Sequence, residues 1–150
     1  MTLIRNGKRL RAKSFQIGTL RVIKGIVRDG EWDAVEEFLK YETENGESII
    51  AIGTGGNINR LQRIILNPKN QPILISKIEK ITAALKAQPF KEMVEKYSLK
   101  PDRADVIIPA AEIYLRIMKL AGAKEIIVPK VGLSDGIILK VHEEYQESLV

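Results

Sequence analysis

A glycine-rich turn is the part of the sequence with the clearest potential for chemistry. It follows the short apolar run Ile49–Ile52 and precedes a stretch with helical spacing of apolar residues. The glycine turn, as the term is used below, consists of Gly53, Thr54, Gly55, Gly56 and Asn57. Glycines let the main chain approach an anion closely, and the free N–H groups at a helix start point towards it. The pattern therefore predicts a phosphate-binding turn between a strand and a helix.

The same pattern has a second interpretation. GTGGN matches neither the GxxxxGK[ST] nucleotide loop nor the GxGxxG dinucleotide fingerprint. The same sequence is explained equally well by a tight turn that binds no ligand and needs glycine only for its dihedral angles. Position in the fold has to decide between the two.

Catalytic residues are not evident beside this turn. Hydrolysis of a phosphoanhydride needs a carboxylate that holds a metal and a residue that positions water. No aspartate follows a buried strand next to the glycine turn; the aspartates are Asp29, Asp33, Asp102, Asp105 and Asp135. The single histidine, His142, is expected at the surface of a helix. The sequence predicts half of a phosphate site, no catalytic pair and no metal ligand.

The elements before the turn begin with a hairpin. Asn6-Gly7 between two strand-like runs is a strong hairpin signal, since both residues tolerate positive φ. In the second run, Arg9, Arg11 and Lys13 alternate with small or apolar residues and predict a basic face. A solvated face is the ordinary interpretation, and a phosphate-facing or nucleic-acid-binding face is the other. A helix over Glu31–Tyr41, with Trp32 in the core, is predicted to end at Asn45-Gly46.

The elements after the turn are mostly helical. A helix from Asn57 is predicted to run to about Asn67, and Ser76 with Glu79 has the spacing of a capping box. A helix is predicted from Asp102 to Ala121, interrupted or bent near Pro109, and a buried strand over Glu125–Val128 follows it. The closing helix is predicted to be capped by Ser134, with an inward face formed by Ile137, Ile138, Val141 and Tyr145. The order β-β-α-β-α-α-α-α-β-α predicts an α/β fold with a mixed sheet.

Composition narrows the class of protein. The chain has 150 residues, a formal net charge of +5, a pI near 9.4 and no cysteine. These values favour anionic partners and exclude disulfides and thiolate metal sites. Few aromatic residues are present, which makes a base-stacking nucleic-acid surface a poor fit. No stretch has the length of a membrane span, so a cytoplasmic location is expected.

Four segments together resemble the exopolyphosphatase/guanosine pentaphosphate phosphohydrolase family. They are SFQIGTLR at 14–21, IGTGGNINRL at 52–61, DRADVIIPAAEIYLRIM at 102–118 and VPKVGLSDGI at 128–137. The resemblance implies a ribonuclease H-like lobe of the actin-like ATPase superfamily. It further implies that residues 1–150 form the second, C-terminal lobe, without its first strand and without the first lobe.

The resemblance also implies roles for residues. It assigns phosphate binding to Gly53, Thr54, Gly55, Gly56, Asn57 and Arg21. Arg103 and Asp105 match an R-x-D sequence that either supports the site or forms a structural salt bridge. The segment Gly132–Gly136 lacks the arginine that many relatives carry there. No catalytic residue is assigned within this chain, and Mg²⁺ would be held mainly by the missing part.

The activity implied is release of the terminal phosphate of polyphosphate or of the 5′ phosphate of guanosine pentaphosphate. This chain would supply the phosphate-binding turn but not the catalytic base, and would be inactive alone. The alternative is a non-catalytic module that binds polyphosphate or guanosine alarmones. The expected partners are the first lobe and, through the exposed edge of the hairpin, a second copy of the chain.

Overall fold

The computed structural model describes residues 1–43, 49–68 and 71–148, with only the backbone described for 41–43 and 101–103. The predicted stop at Asn45-Gly46 lies outside these residues. In chain order the elements are β1 (Thr2–Arg5), β2 (Lys8–Ala12), α1 (Thr19–Ile23), α2 (Glu31–Thr43), β3 (Ala51–Ile52), α3 (Gly56–Ile64), β4 (Ile73–Leu74), α4 (Ile75–Lys86), α5 (Phe90–Lys96), α6 (Pro101–Leu120), β5 (Glu125–Ile127) and α7 (Leu133–Glu147). The predicted α/β class with a hairpin and flanking helices is confirmed.

The hairpin forms as the sequence predicts. β1 and β2 pair antiparallel, and the turn residues have positive φ, 51° at Asn6 and 73° at Gly7. The register shifts between Leu3 and Ile4, which pair with Arg11 and Arg9. This bulge removes Leu10 from the regular pairing and changes the alternation of side chains along β2.

A second, three-stranded sheet has the order β3-β5-β4. β3 runs parallel to β5, and β4, which was not predicted, runs antiparallel to it. In the described residues the hairpin and this sheet share no strand pairing, so β1 and β3 each have one neighbour.

The core lies around α6, which packs against each of the helices α1 to α5. Its buried residues are Ala104, Ile107, Ala110, Ala111 and Met118. The helix continues through Pro109 rather than breaking there. Gly122, with φ of 65°, follows its last turn as predicted for a helix C-terminus.

Two local predictions before α6 are wrong. The strand that leads to the glycine turn was expected to be buried, but Ile50 and Ile52 are 53% and 66% exposed. Both side chains line the open groove between the hairpin and β3, so no described element covers them. Ser76 does not cap a helix, because α4 already begins at Ile75. The backbone enters it directly from β4, and the Ile75 N–H donates to the carbonyl of Lys124 (2.8 Å).

The prediction for the last helix is wrong in both its cap and its burial. α7 begins after Gly132, whose N–H donates to Asp135 Oδ2 (2.7 Å), so Ser134 is not the cap. The four side chains expected inward are all more than half exposed: Ile137, Ile138, Val141 and Tyr145. Their spacing gives the helix an apolar face, but no described element covers that face.

Candidate phosphate-binding site

Gly53 fixes the glycine turn to the end of β5. Its N–H donates to the carbonyl oxygen of Ile127 (2.9 Å), and the residue is buried. A Cβ at this position would lie 2.8 Å from Cδ1 of Ile126 and 3.0 Å from Cγ1 of Ile58. Packing therefore requires glycine at position 53. For this one residue, the interpretation in which the turn binds no ligand is sufficient.

The remaining residues of the turn are open. Gly55 has φ 108° and ψ 174°, a conformation that residues with a side chain rarely adopt, and it is the N-cap of α3. Nothing lies within 4 Å of a Cβ built at Gly55 or Gly56. The Asn59 N–H donates to the carbonyl oxygen of Gly55 (3.2 Å), which starts the helix.

The amide groups of the turn are available as donors. The N–H groups of Thr54, Gly55, Gly56 and Asn57 donate to no backbone carbonyl among the described residues. The first N–H groups of any helix lack acceptors within the helix, and its N-terminus carries a partial positive charge. These four amides can therefore donate to an anion placed at the start of α3.

Two concavities border the turn. The strand groove, about 660 Å³, lies between the hairpin and β3 and is lined by 1–5, Leu10, Ile49, Ile50, Ile52 and Thr54. The α3–α6 groove, about 310 Å³, is lined by Gly56, Asn57, Asn59, Arg60, Arg63, Lys100 and Ile107. The turn thus has open space on both sides, through which an anion could reach its amides.

The cations that line the two grooves are Arg5 in the strand groove and Arg60, Arg63 and Lys100 in the α3–α6 groove. Arg21, named from the resemblance, is exposed on α1 and lines neither groove. Lys130 follows β5 with φ of 57°. Because β3 and β5 are parallel, their carboxyl ends lie at one edge of the sheet, where ligands bind in open α/β folds.

Sequence reasoning could have found part of this cation set. Arg60 and Arg63 follow Asn57 at intervals of three residues, so all three share one face of α3. Lys100 could not be found this way, because only the packing of α6 on α3 brings it to the groove.

The role of the R-x-D sequence at Arg103 and Asp105 remains a prediction. Asp105 is exposed on α6, next to the buried Ala104, and the side chain of Arg103 lies outside the described residues. The proposed ion pair between them is therefore untested.

The predicted basic face of the hairpin is interrupted at Arg11. Arg11 Nη2 donates to the carbonyl of Phe38 (2.7 Å), and the guanidinium lies 4.9 Å from the centre of that ring. Arg11 thus packs on α2, whereas Arg9 and Lys13 are exposed. Lys13 Nζ lies 5.4 Å from the centre of the Phe15 ring, which packs edge-on against Phe38. Arg11 and Lys13 therefore both lie on aromatic rings, and the bulge in β2 shifts the register between them and Arg9.

Within the described ranges, no three His, Asp or Glu side chains are grouped so that they could hold a metal ion. These residues do not by themselves fit the Mg²⁺ site that the resemblance implies. The described part of the chain offers electrostatic chemistry, through amide donors and cations. No helix in that part is long and apolar enough to cross a membrane.

Comparison with solved structures identifies the fold. The chain matches the Ppx/GppA family member of Aquifex aeolicus with a TM-score of 0.71 and 21% identity. The match covers 95% of this chain and 52% of that one. The chain has the fold of half a Ppx/GppA protein. No protein-family model matches the sequence, and no curated protein is significantly similar to it.

Other solved Ppx/GppA-like structures agree. An exopolyphosphatase from Cytophaga hutchinsonii ATCC 33406 matches with a TM-score of 0.67 and 16% identity, over 91% of this chain and 51% of that one. An exopolyphosphatase-like protein matches with a TM-score of 0.65 and 16% identity, over 96% of this chain and 53% of that one. The chain spans about half the length of these relatives. The resemblance read from the sequence is confirmed at the level of the fold.

Proposed function

We propose that this chain is the phosphate-binding second lobe of a cytoplasmic phosphoanhydride hydrolase of the exopolyphosphatase/guanosine pentaphosphate phosphohydrolase family. The substrate is inorganic polyphosphate or guanosine pentaphosphate, and the reaction releases a terminal phosphate. The observation that carries the proposal is the glycine turn, with four unbonded amides at the start of α3 in a Ppx/GppA-like fold.

The contribution of the turn is to hold and stabilise negative charge. Amides that are fixed before the substrate arrives need no reorganisation when charge develops on phosphoryl oxygens during transfer. Gly53 fixes the turn through its hydrogen bond to Ile127, and the open conformation of Gly55 leaves space for the oxygens. The neighbouring cations would neutralise further charge on the same anion.

The other half of the reaction is supplied by the first lobe in this proposal. That lobe would provide the catalytic base and most of the Mg²⁺ ligands, and Mg²⁺ held there would supply Lewis-acid stabilisation of the phosphate oxygens. The strand groove supports the proposal, because β1 and β3 each leave one edge unpaired on either side of it. A strand from outside the described residues would join the hairpin and the second sheet there.

The amide signals of the turn test the proposal directly. In a ¹H–¹⁵N spectrum of the chain titrated with tripolyphosphate, we expect the largest shifts at Thr54, Gly55, Gly56 and Asn57. The amide of Gly53 is already bonded to Ile127 and is expected to shift less. Tripolyphosphate that leaves the four signals in place would refute the proposed site.

A turnover assay distinguishes the proposal that the chain is one lobe of a hydrolase from the hypothesis that it is a complete enzyme. We expect no phosphate release from polyphosphate by the purified chain with Mg²⁺ present, because the catalytic base lies in the other lobe. Sustained release that follows the chain through purification would show that the base lies within these residues. A binding module without any catalytic partner predicts the same inactivity, but it predicts no rescue when a first lobe of the family is added.

A further inference from the structure

The α3–α6 groove carries a concentration of positive charge. Arg60 and Arg63 lie on one face of α3, and Lys100 lies at the start of α6 on the other wall. No described acidic residue lines the groove. Like charges three residues apart on a helix repel each other, and a third cation adds to the repulsion.

None of these three cations is neutralised by the described part of the chain. Arg60, Arg63 and Lys100 have no ion pair or side-chain hydrogen bond there, whereas Lys86 on α4 and Lys119 further along α6 pair with Glu112 and Glu79. Cations in a concave surface that remain without carboxylate partners favour an anionic ligand.

The polar wall of the groove is also incompletely bonded. Asn59 lines the groove, and its Oδ1 is buried without a hydrogen-bond partner among the described residues. A buried polar atom in this state is destabilising unless water or a ligand bonds to it. Oδ1 accepts hydrogen bonds, so the donor that it lacks would come from water or a cation and not from the anion itself.

The groove is continuous with the glycine turn. Gly56 and Asn57 belong to both, so an anion held by the amides at the start of α3 can extend along the helix past Arg60 to Arg63. Orthophosphate is too small to bridge both regions, but a linear chain of phosphates has a negative charge on each unit. The geometry points to a ligand with repeated charges rather than to a single phosphate.

We infer that the α3–α6 groove is a second anion subsite, in which Arg60, Arg63 and Lys100 bind the internal phosphates of a linear polyphosphate whose end lies at the glycine turn. This inference rests on the proposed function, and it names polyphosphate as the preferred substrate class. Affinity should therefore rise with chain length, from orthophosphate to tripolyphosphate to long-chain polyphosphate.

The test compares two double variants of the full chain by calorimetric titration with these three ligands. Arg60→Gln/Arg63→Gln removes two charges from the groove. Lys80→Gln/Lys91→Gln removes two charges from exposed positions on α4 and α5 and is the matched control. Circular dichroism of each variant establishes that it is folded.

We expect the groove variant to bind long-chain polyphosphate about tenfold more weakly than the control variant, with orthophosphate affinity unchanged. The dependence of log K on log salt should also become less steep, because fewer counterions are displaced. Equal affinities of the two variants for long chains, or an undiminished preference for long chains in the groove variant, would overturn the inference.

A third variant, Gly55→Val, distinguishes failure of this subsite from failure of the proposed function. Loss of binding in Gly55→Val but not in the groove variant would overturn the subsite and support the turn. Loss only in the groove variant would support the subsite and overturn the turn. Absence of binding by the unmodified chain would overturn both.

Discussion

The N–H of Gly53 donates a hydrogen bond of 2.9 Å to the carbonyl oxygen of Ile127, and this bond joins the glycine turn to the end of β5. Gly53 is also enclosed by the side chains of Ile126 and Ile58. One glycine of the turn is thus fixed by packing, while the residues after it remain open to solvent. The five-residue turn therefore combines one position that packing requires with four positions that a ligand can reach.

The first prediction concerns this packing. Gly53→Ala places a methyl group 2.8 Å from Ile126 Cδ1, so a neighbouring side chain must shift. We expect the free energy of unfolding to fall by about 1–3 kcal/mol, measured by urea denaturation. Gly56→Ala is the matched control, because nothing lies within 4 Å of its added methyl group. A Gly53→Ala chain as stable as the unmodified one would show that the turn does not depend on this contact.

The second prediction concerns the open strand edges. β1 and β3 each have one pairing partner among the described residues, and unpaired edges promote association. We expect concentration-dependent self-association of the chain by light scattering. Replacing the groove residues Ile4 and Ile52 together by lysine should abolish it, whereas Leu20→Lys, at an equally exposed position on α1, should not.

The apolar face of α7 provides a second control for that experiment. Ile138 is 68% exposed on this helix and lies outside the strand groove. If Ile138→Lys abolishes association and the Ile4/Ile52 variant does not, α7 rather than the strand edges is the interface. A single monomeric species at every concentration would contradict association by either route.

The third prediction concerns pH. Burial raises the pKa of Tyr114 on α6, because desolvation disfavours the phenolate. Above the ordinary tyrosine pKa of about 10, the unfolded chain loses this proton while the folded chain retains it. The free energy of unfolding should therefore fall as pH rises above that value.

Tyr114→Phe should show a smaller fall over the same pH range, measured by urea denaturation at successive pH values. Tyr145→Phe is the control, because Tyr145 is 59% exposed on α7. Identical pH dependence in the two variants would show that the burial of Tyr114 does not contribute.

Local signals allowed much of the fold to be predicted. Asn6-Gly7 specified the hairpin because both residues adopt positive φ, and Gly122 marked the end of α6 for the same reason. The apolar pattern of α7 was read correctly as an amphipathic helix, but its exposure was not foreseen. A periodic pattern indicates that a helix has an apolar face without indicating what covers it.

The site was predictable only where it is local. The glycine turn is contiguous, so the type and spacing of its residues were enough to locate it. Arg21 was named from a resemblance and lines neither groove, whereas Lys100 lines the α3–α6 groove only because α6 packs on α3. Contacts between residues distant in the sequence depend on the whole fold, which no local pattern encodes.

The central claim is that the open amides of the glycine turn bind phosphate, and titration of Gly55→Val with tripolyphosphate tests it most directly. Valine is strained at φ 108°, so the turn must change shape and misplace its amides. Gly18→Val is the matched control, since Gly18 has extended backbone and free space around it. We predict at least about tenfold weaker binding by Gly55→Val and unchanged binding by Gly18→Val. Equal affinities of both variants and the unmodified chain would contradict the account.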